Sequence, residues 1–574
     1  MEENKTPQFN IALETYYNEH RDLIRICNET NEQFEISIEM YELYKKLDLP
    51  LPTISPGARL QRLRAHMGGI ELFARQDINA NNAISMYDPQ SPAKIVSSDY
   101  WFSDEFNALS YGKELNPQKS FFEQWKIFSP SVPREAISTD PDSNNCTWCV
   151  YDLAFKDCYA TFGGMECNKI MFGDMCINAG HSSDVGNIVR SEWCYESITC
   201  FECSQARYSA FCAGSMNISF CFGCNNISDC FGCVNIQNKQ YCFFNQQLSK
   251  EEYMRRTQTL DLSDRAVVEI CQEKVRELWN TGYCEANSNA NSEHAIGDEI
   301  SDSKNVMGIS VLGLERVYNT FDSSFLKDCI DITTCTQQER SALSIVCPSG
   351  FENKMCVSCF ACINIEYSMN CISSENLFGC IGLKHKKFCI FNVQYSEEEY
   401  WKKVDDIKTA MLKRGEYGQF FPYNTSLFAY NTSHADAFFP LDRQAVEHIN
   451  ARWYEFPQVD ASQALPSSQI PEQLNKTTED ILTKQFVCPT SGRPFRIVKP
   501  ELTFHQKMNV ALPIEHPSIR RKRKYKEMGS IQLFKRSCVE CHKELYTRFP
   551  NIIPQKIACS ECFNKILLED RMMK

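Results

Sequence analysis

The stretch CFGCNNISDCFGC (221–233) poses the question on which the fold turns: are its two CxxC pairs the corners of one metal site, or two rungs of a repeat? Four thiolates at such spacing can hold a tetrahedral zinc. A wider window favours the repeat. Cut every nine residues from Cys149, the chain reads CVYDLAFKD, CYATFGGME, CNKIMFGDM, CINAGHSSD, VGNIVRSEW, CYESITCFE, CSQARYSAF, CAGSMNISF, CFGCNNISD, CFGCVNIQN. Nine of these ten units open on Cys, and Val185 is the exception. With 31 cysteines in 574 residues, such a register is not accidental. A second block keeps the period less fully, with Cys329, Cys347 and Cys356 on one phase and Cys362, Cys371, Cys380 and Cys389 on another.

A fixed short period with small residues in register is the signature of a solenoid, whose rungs bury a face only when neighbours are stacked on them. Nine residues at ~3.3 Å each are too short for a closed coil. Each unit is therefore read as half of an 18-residue coil, with cysteines in two inward columns. The nonapeptide calcium repeat needs GGxGxD, which these units lack, so calcium is not expected. The pairs CTWC (146–149), CFEC (200–203), CFGC (221–224 and 230–233) and CVSC (356–359) are candidate knuckles, but buried reduced thiols are the favoured reading. The column Cys224, Cys233 and Cys242 is the first place to look for an unexpected metal.

Two duplications frame the ladder. FGCVNIQNKQYCFFNQQLSKEEY (231–253) returns as FGCIGLKHKKFCIFNVQYSEEEY (378–400) with 12 of 23 positions identical, and both copies end in a capping-box pattern, Ser249/Glu252 and Ser396/Glu399. The two ends of the chain also match. ICNETNEQFEI (26–36) aligns with VCPTSGRPFRI (487–497) and MGGIELFAR (67–75) with MGSIQLFKR (528–536). Cys27, Arg59 and Arg62 then fall on Cys488, Arg520 and Arg523. Helical spacing marks 267–279 and 398–412, and the aromatic stretch 420–442 reads as a packed loop.

The fold expected is multidomain and mainly β, with cysteine-rich solenoid-like blocks, connecting helices and flanking zinc-ribbon-like modules. Its segments are a degenerate ribbon-like module without zinc plus linker (1–145), a first ladder block (146–248), a helical connector (249–299), a second block (300–395), a helical and aromatic-loop connector (396–485) and a C-terminal zinc-ribbon module (486–574).

The strongest metal signal lies at that C-terminus. Cys538-x-x-Cys541 and Cys559-x-x-Cys562 are separated by 17 residues, which suits a zinc ribbon or the equivalent part of a treble clef, so Zn2+ is the expected cofactor. Cys488 and His516 mark a weak, degenerate second site whose partner positions are held by Ser491 and Ile519. At the matching N-terminal positions Asp77, Ala80, Ser97 and Tyr100 replace all four cysteines, so zinc is not expected there.

Formal net charge is −13, but residues 519–574 carry 14 Lys and Arg against 6 Asp and Glu. The basic run SIRRKRKYK (518–526) reads as a nucleic-acid patch or, by preference, as a solvated helix flank. There is no HExxH, GxSxG, GxGxxG or P-loop, so no catalytic constellation is expected. No apolar run approaches the ~20 residues of a membrane helix, and MEENKTPQFN is no secretion signal. An intracellular, reducing compartment follows, with thiols rather than disulfides.

The ribbon segment LPIEHPSIRRKRKYKEMGSIQLFKRSC, the ladder ending FGCVNIQNKQYCFFNQQLSKEEY, AIGDEISDSKNVMG and GQFFPYNTSLFAYNTSHADAFFPL together resemble a family of large cysteine-rich zinc-ribbon proteins of candidate-phyla bacteria, with relatives in giant DNA viruses. The resemblance covers nearly the whole chain. It implies zinc-binding ribbons and, for a viral member, a place in the virion. It implies no activity, and the CaiB/BaiF CoA-transferase label some members bear has no support in these residues. The loss of the N-terminal ribbon cysteines departs from the family and puts full zinc occupancy in doubt. The expected role is a non-enzymatic scaffold or interaction protein that docks a protein partner or further copies of itself, with nucleic-acid binding through 518–526 as the alternative.

Overall fold

The computed structural model describes residues 5–289, 291–293, 296–301, 307–312, 318–321, 330–338, 345–350, 354, 359–457 and 464–569. Cys329 and Cys356 lie outside them. Among the described residues there are 13 α-helices and many short strands in small sheets, so the fold is mixed rather than mainly β. No described helix is long and apolar enough to cross a membrane.

The chain separates into two units, each assembled from segments far apart in sequence. One comprises Met1–Ile137, Ser288–Tyr454 and Ile531–Leu533; the other comprises Ser138–Asn287, Glu455–Ser530 and Phe534–Lys574. Each contains one ladder block and one terminal module.

In the second unit the ladder pairs in parallel at a constant offset of twelve, from Asn144↔Lys156 through Val150↔Phe162, Cys200↔Cys212 and Ile218↔Cys230 to Ser228↔Gln240. This overturns the 18-residue coil. The reason lies in the backbone: a left-handed residue recurs every third position, as at Asn217, Phe220, Gly223, Asn226, Asp229 and Gly232, so the chain bends after every three residues. Four such bends bring residue i+12 beside residue i. The opening stretch is thus a run of triplets, CFG CNN ISD CFG, whose first residue points inward and whose third makes the bend. Gly, Asn and Asp suit that third position because they tolerate positive φ.

The inward positions form one apolar column that includes Cys200, Cys212, Ile218, Cys221, Ile227 and Cys230, all 1% exposed or less. Small side chains predominate because inward residues converge from every side of a narrow core, with Phe155 and a few isoleucines filling the remaining space. Outside, residues twelve apart stack on one another. Asn217 donates to Asp229 at 2.6 Å, Tyr208 lies on Phe220 at 4.8 Å, and His181 lies on Trp193 at 4.5 Å. The run ends in an antiparallel hairpin, Cys242–Phe243 with Gln246–Gln247, followed by a helix, Lys250–Thr257, that Ser249 caps through the Glu252 N–H.

The helix Arg265–Thr281 follows, burying Val268, Cys271 and Val275 on one face, as its spacing predicts. The run 518–526 falls in the helix Pro517–Met528 and is not a solvated flank. Arg520, Arg521, Lys524 and Tyr525 are buried against the ladder. Arg520 meets Asp184 at 2.6 Å and Glu501 at 2.9 Å, Lys524 meets Asp184 at 3.1 Å, and Arg521 meets Asp174 at 3.0 Å. The cations are buried because the ladder presents carboxylates at matching positions, and buried charges persist only when paired.

The first unit carries the second ladder block. Its pairing starts off that register, at eleven in Ile296↔Met307 and thirteen in Tyr318↔Asp331, then holds the offset of twelve in Cys335↔Cys347, Ile363↔Glu375 and Glu375↔Lys387, and it ends in the same type of hairpin, Lys387–Ile390 with Val393–Gln394. The helix Glu397–Lys413 then starts on a full capping box, Ser396 with Glu399. The aromatic stretch 420–442 packs as irregular chain with short 3-10 turns and one short helix, His434–Phe438, and it buries Tyr423 and Tyr430.

Candidate metal centre

Each terminal module contains two copies of one local device, a hairpin turn followed later by a helix whose first residues face the turn. At Cys538 the turn is closed by Cys538 N–H to the Lys543 carbonyl and His542 N–H to the Cys538 carbonyl, both 3.0 Å, with His542 left-handed. Cys27 and Cys488 repeat this pattern with Glu32 and Asn31, and with Arg493 and Gly492, at 2.8 and 2.9 Å in each case. At Asp77 the turn is one residue shorter, closed by Asn81 and Ala80. The helices that answer these turns are Pro56–Arg64, Ser98–Phe102, Pro517–Met528 and Ser560–Leu568.

What separates the four is the residue at the helix cap. Ser55 accepts from the Ala58 N–H, Ser97 from the Tyr100 N–H and His516 Nδ1 from the Ser518 N–H, so each spends its lone pair on its own helix. Cys559, at the same place before Ser560–Leu568, makes no cap bond. Its sulfur lies 3.8 Å from Cys541 Sγ, and its N–H donates to Cys538 Sγ at 3.3 Å. The second CxxC therefore sits on a helix start, the treble-clef alternative rather than a second ribbon knuckle.

The four sulfurs of Cys538, Cys541, Cys559 and Cys562 all lie within 4.8 Å of one another, and this is the group among the described residues that could hold a metal ion. A tetrahedron of sulfurs ~2.3 Å from a central ion has edges of about 3.8 Å, so the Cys541–Cys559 separation already fits. Burial works against ionisation of Cys538, but the N–H groups of Cys541, Cys559 and Glu540 outweigh it and bring the thiol down to about 6. Cys562 is pushed up to about 12, chiefly by its neighbour Cys559, and burial raises Cys559. The site thus pairs a thiol disposed to ionise, Cys538, with two that hold their protons, Cys559 and Cys562.

The other sequence-derived candidates do not join this site. Cys488 is packed among Ile470, Leu474, Phe486 and Phe495, and His516 caps its helix through Ser518. Asp77 accepts from the Asn79 and Asn81 N–H groups at 2.8 Å, its carboxylate closing the turn that Cys538 anchors in the other module. Cys27 sits under Ser55, whose N–H donates to its sulfur at 3.2 Å. This fourth equivalent escaped the sequence reading, although the offset linking Cys27 to Cys488 carries His516 onto Ser55. Among the described residues the ladder cysteines, Cys224, Cys233 and Cys242 included, form no disulfide, and all are buried except the half-buried Cys146. Burial pushes Cys158 up to about 12 and Cys194 higher still.

No protein-family model matches the chain, and no curated protein matches it either. The four-cysteine group therefore carries the functional reading on its own geometry.

Proposed function

We propose that this chain is a non-enzymatic structural or interaction scaffold, built on two solenoid blocks with twelve-residue coils and steadied by one structural zinc at Cys538, Cys541, Cys559 and Cys562. The observation that carries the metal part is the unspent Cys559 cap beside Cys541, at the tetrahedral edge length. Four thiolates suit zinc by softness and by geometry. The surrounding core is small, with Phe563 and Ile566 as its large buried side chains, so the ion supplies much of the local folding free energy. The offset of twelve, constant along the first ladder block, supports the scaffold part, because residues that serve stacking on every rung leave few free for a reacting centre. A cavity of about 310 Å³ in the first unit is lined by charges that pair with one another, Lys408 with Glu366 at 2.9 Å and Lys354 with Asp48 at 3.8 Å.

Binding of nucleic acid through 518–526 is the weaker reading, since Arg520, Arg521 and Lys524 are committed to ladder carboxylates. The resemblance to cysteine-rich zinc-ribbon proteins agrees with a zinc-steadied scaffold and names no reaction. The test is a pair of titrations on the reduced full-length chain. Zinc should raise the unfolding temperature and a chelator should reverse the gain, while DNA and RNA at low salt should give no saturable binding. Salt-sensitive binding abolished by charge reversal at Lys522 and Lys526 would replace the scaffold with a nucleic-acid reader.

A further inference from the structure

The segment Gly282–Asn287 leaves the helix Arg265–Thr281 and is the last stretch of the second unit before the chain passes into the other unit at Ser288. Tyr283–Glu285 pairs in parallel with Lys556–Ala558, in the register Tyr283↔Lys556, Cys284↔Ile557 and Glu285↔Ala558. Lys556 N–H donates to the Gly282 carbonyl at 3.1 Å, and Ala286 N–H donates to the Ala558 carbonyl at 2.8 Å. Side chains close the rest. Tyr283 Oη donates to Glu540 at 3.0 Å, Thr547 Oγ1 to the Ala286 carbonyl at 2.7 Å, and Asn287 Nδ2 to the Tyr546 carbonyl at 2.5 Å.

These partners belong to the metal module, and several stand beside a ligand position; the ladder adds one hold of its own, Asn235 Nδ2 donating to the Tyr283 carbonyl. Glu540 lies between Cys538 and Cys541, and Ala558 immediately precedes Cys559. Tyr546 and Thr547 belong to the hairpin strand Glu544–Thr547 that follows the first CxxC. The side chain of Tyr283 in turn packs on the small core that holds Cys538, Phe563 and Ile566. Two elements that hold each other, one of them depending on an ion for its fold, form a single cooperative unit.

We propose that metal loading at the four cysteines latches the crossover segment Gly282–Asn287, so that the exit from the first ladder block is firm only in the metal-bound chain. This rests on the metal reading given above and adds to it a linkage to a distant part of the sequence. Because linkage is reciprocal, loosening the latch must also weaken the hold on the ion.

Hydrogen exchange on the reduced full-length chain reads both directions. Removing zinc with a chelator should speed exchange of the amides of 283–286 by roughly 100-fold, while amides of 203–233 in the ladder keep their protection. The double variant Thr547→Val with Asn287→Ala, which touches no cysteine, should bind zinc about tenfold more weakly. The milder Tyr283→Phe should shift affinity in the same direction, and it serves if the double variant loses its ladder protection. Zinc that binds and leaves with 283–286 equally protected overturns the latch and leaves the metal site standing. A chain that takes up no zinc overturns both.

Discussion

Cys212 Sγ lies 3.3 Å from the carbonyl oxygen of Cys221, nine residues ahead, and 3.4 Å from that of Ala210. Cys203 to Cys212, Cys221 to Cys230 and Cys380 to Cys389 repeat the relation at 3.5, 3.6 and 3.2 Å. Nine is one twelve-residue rung less one three-residue side, so a thiol at an inward position reaches the carbonyl of the neighbouring side on the next rung. Serines do the same work: Ser191 bonds to Val189 and Cys200, both at 3.1 Å. The ladder is therefore a chain of thiol and hydroxyl donors that share carbonyls with the rung-to-rung backbone bonds, since Cys221 also accepts from the Ala210 N–H at 2.9 Å and Ala210 from the Gly223 N–H at 3.0 Å.

Cys212→Ser should accordingly be tolerated, costing about 1 kcal/mol, because the hydroxyl keeps both acceptors. Cys212→Leu should cost about 1–3 kcal/mol by overfilling the column. Denaturant unfolding checks both. A serine variant that loses a metal ion or costs as much as the leucine would make Cys212 a ligand.

Asp184 is the acceptor on which the docking of Pro517–Met528 depends, since it takes Arg520 and Lys524 together. Burial opposes its charge, but the two cations outweigh burial and hold its carboxyl below the ordinary range. Asp184→Ala should destabilise the second unit by about 3–5 kcal/mol, because it strands buried cations. Replacing Asp184, Arg520 and Lys524 together with apolar residues of similar size should recover most of that loss. Calorimetry on the single and triple variants separates a charge requirement from a packing one.

Stability should fall in mild acid through His505, which is buried beside Arg520, Asp184 and the ring of Tyr195. Burial, with Arg520 adding to it, brings its imidazole down to about 4. The unfolded chain binds a proton near 6.5 that the folded chain refuses until about 4. The contribution is therefore full above pH ~6.5 and declines between there and about 4, by roughly 3 kcal/mol in all. In His505→Gln the slope of stability against pH across that window should flatten. An unchanged slope would assign the acid sensitivity elsewhere, with His66, also brought down to about 4 by burial, the next candidate.

The metal centre was readable from spacing alone, because each CxxC needs only a local turn to bring two sulfurs together. The ladder was half readable. Its nine-residue beat is a real contact, but the beat is not the period of the backbone. The better signal was the triplet, Gly223, Asn226, Asp229, Gly232, Asn235 and Asn238, all left-handed. Bulky residues blur it, since Phe211, Phe220 and Tyr241 also make the bend, Phe220 stacked on Tyr208 and Phe211 on Trp279. The buried state of SIRRKRKYK could not be read, because its partners Asp174 and Asp184 lie more than 300 residues away and nothing local marks a cation as paired.

Native mass spectrometry of the reduced full-length chain, with free thiols counted on the same sample, tests the central claim most directly. One zinc per chain is predicted, lost on Cys559→Ser with Cys562→Ser and kept on Cys221→Ser with Cys224→Ser. A chain with no zinc, or with four or more ions that disappear when the ladder cysteines are replaced, would contradict it.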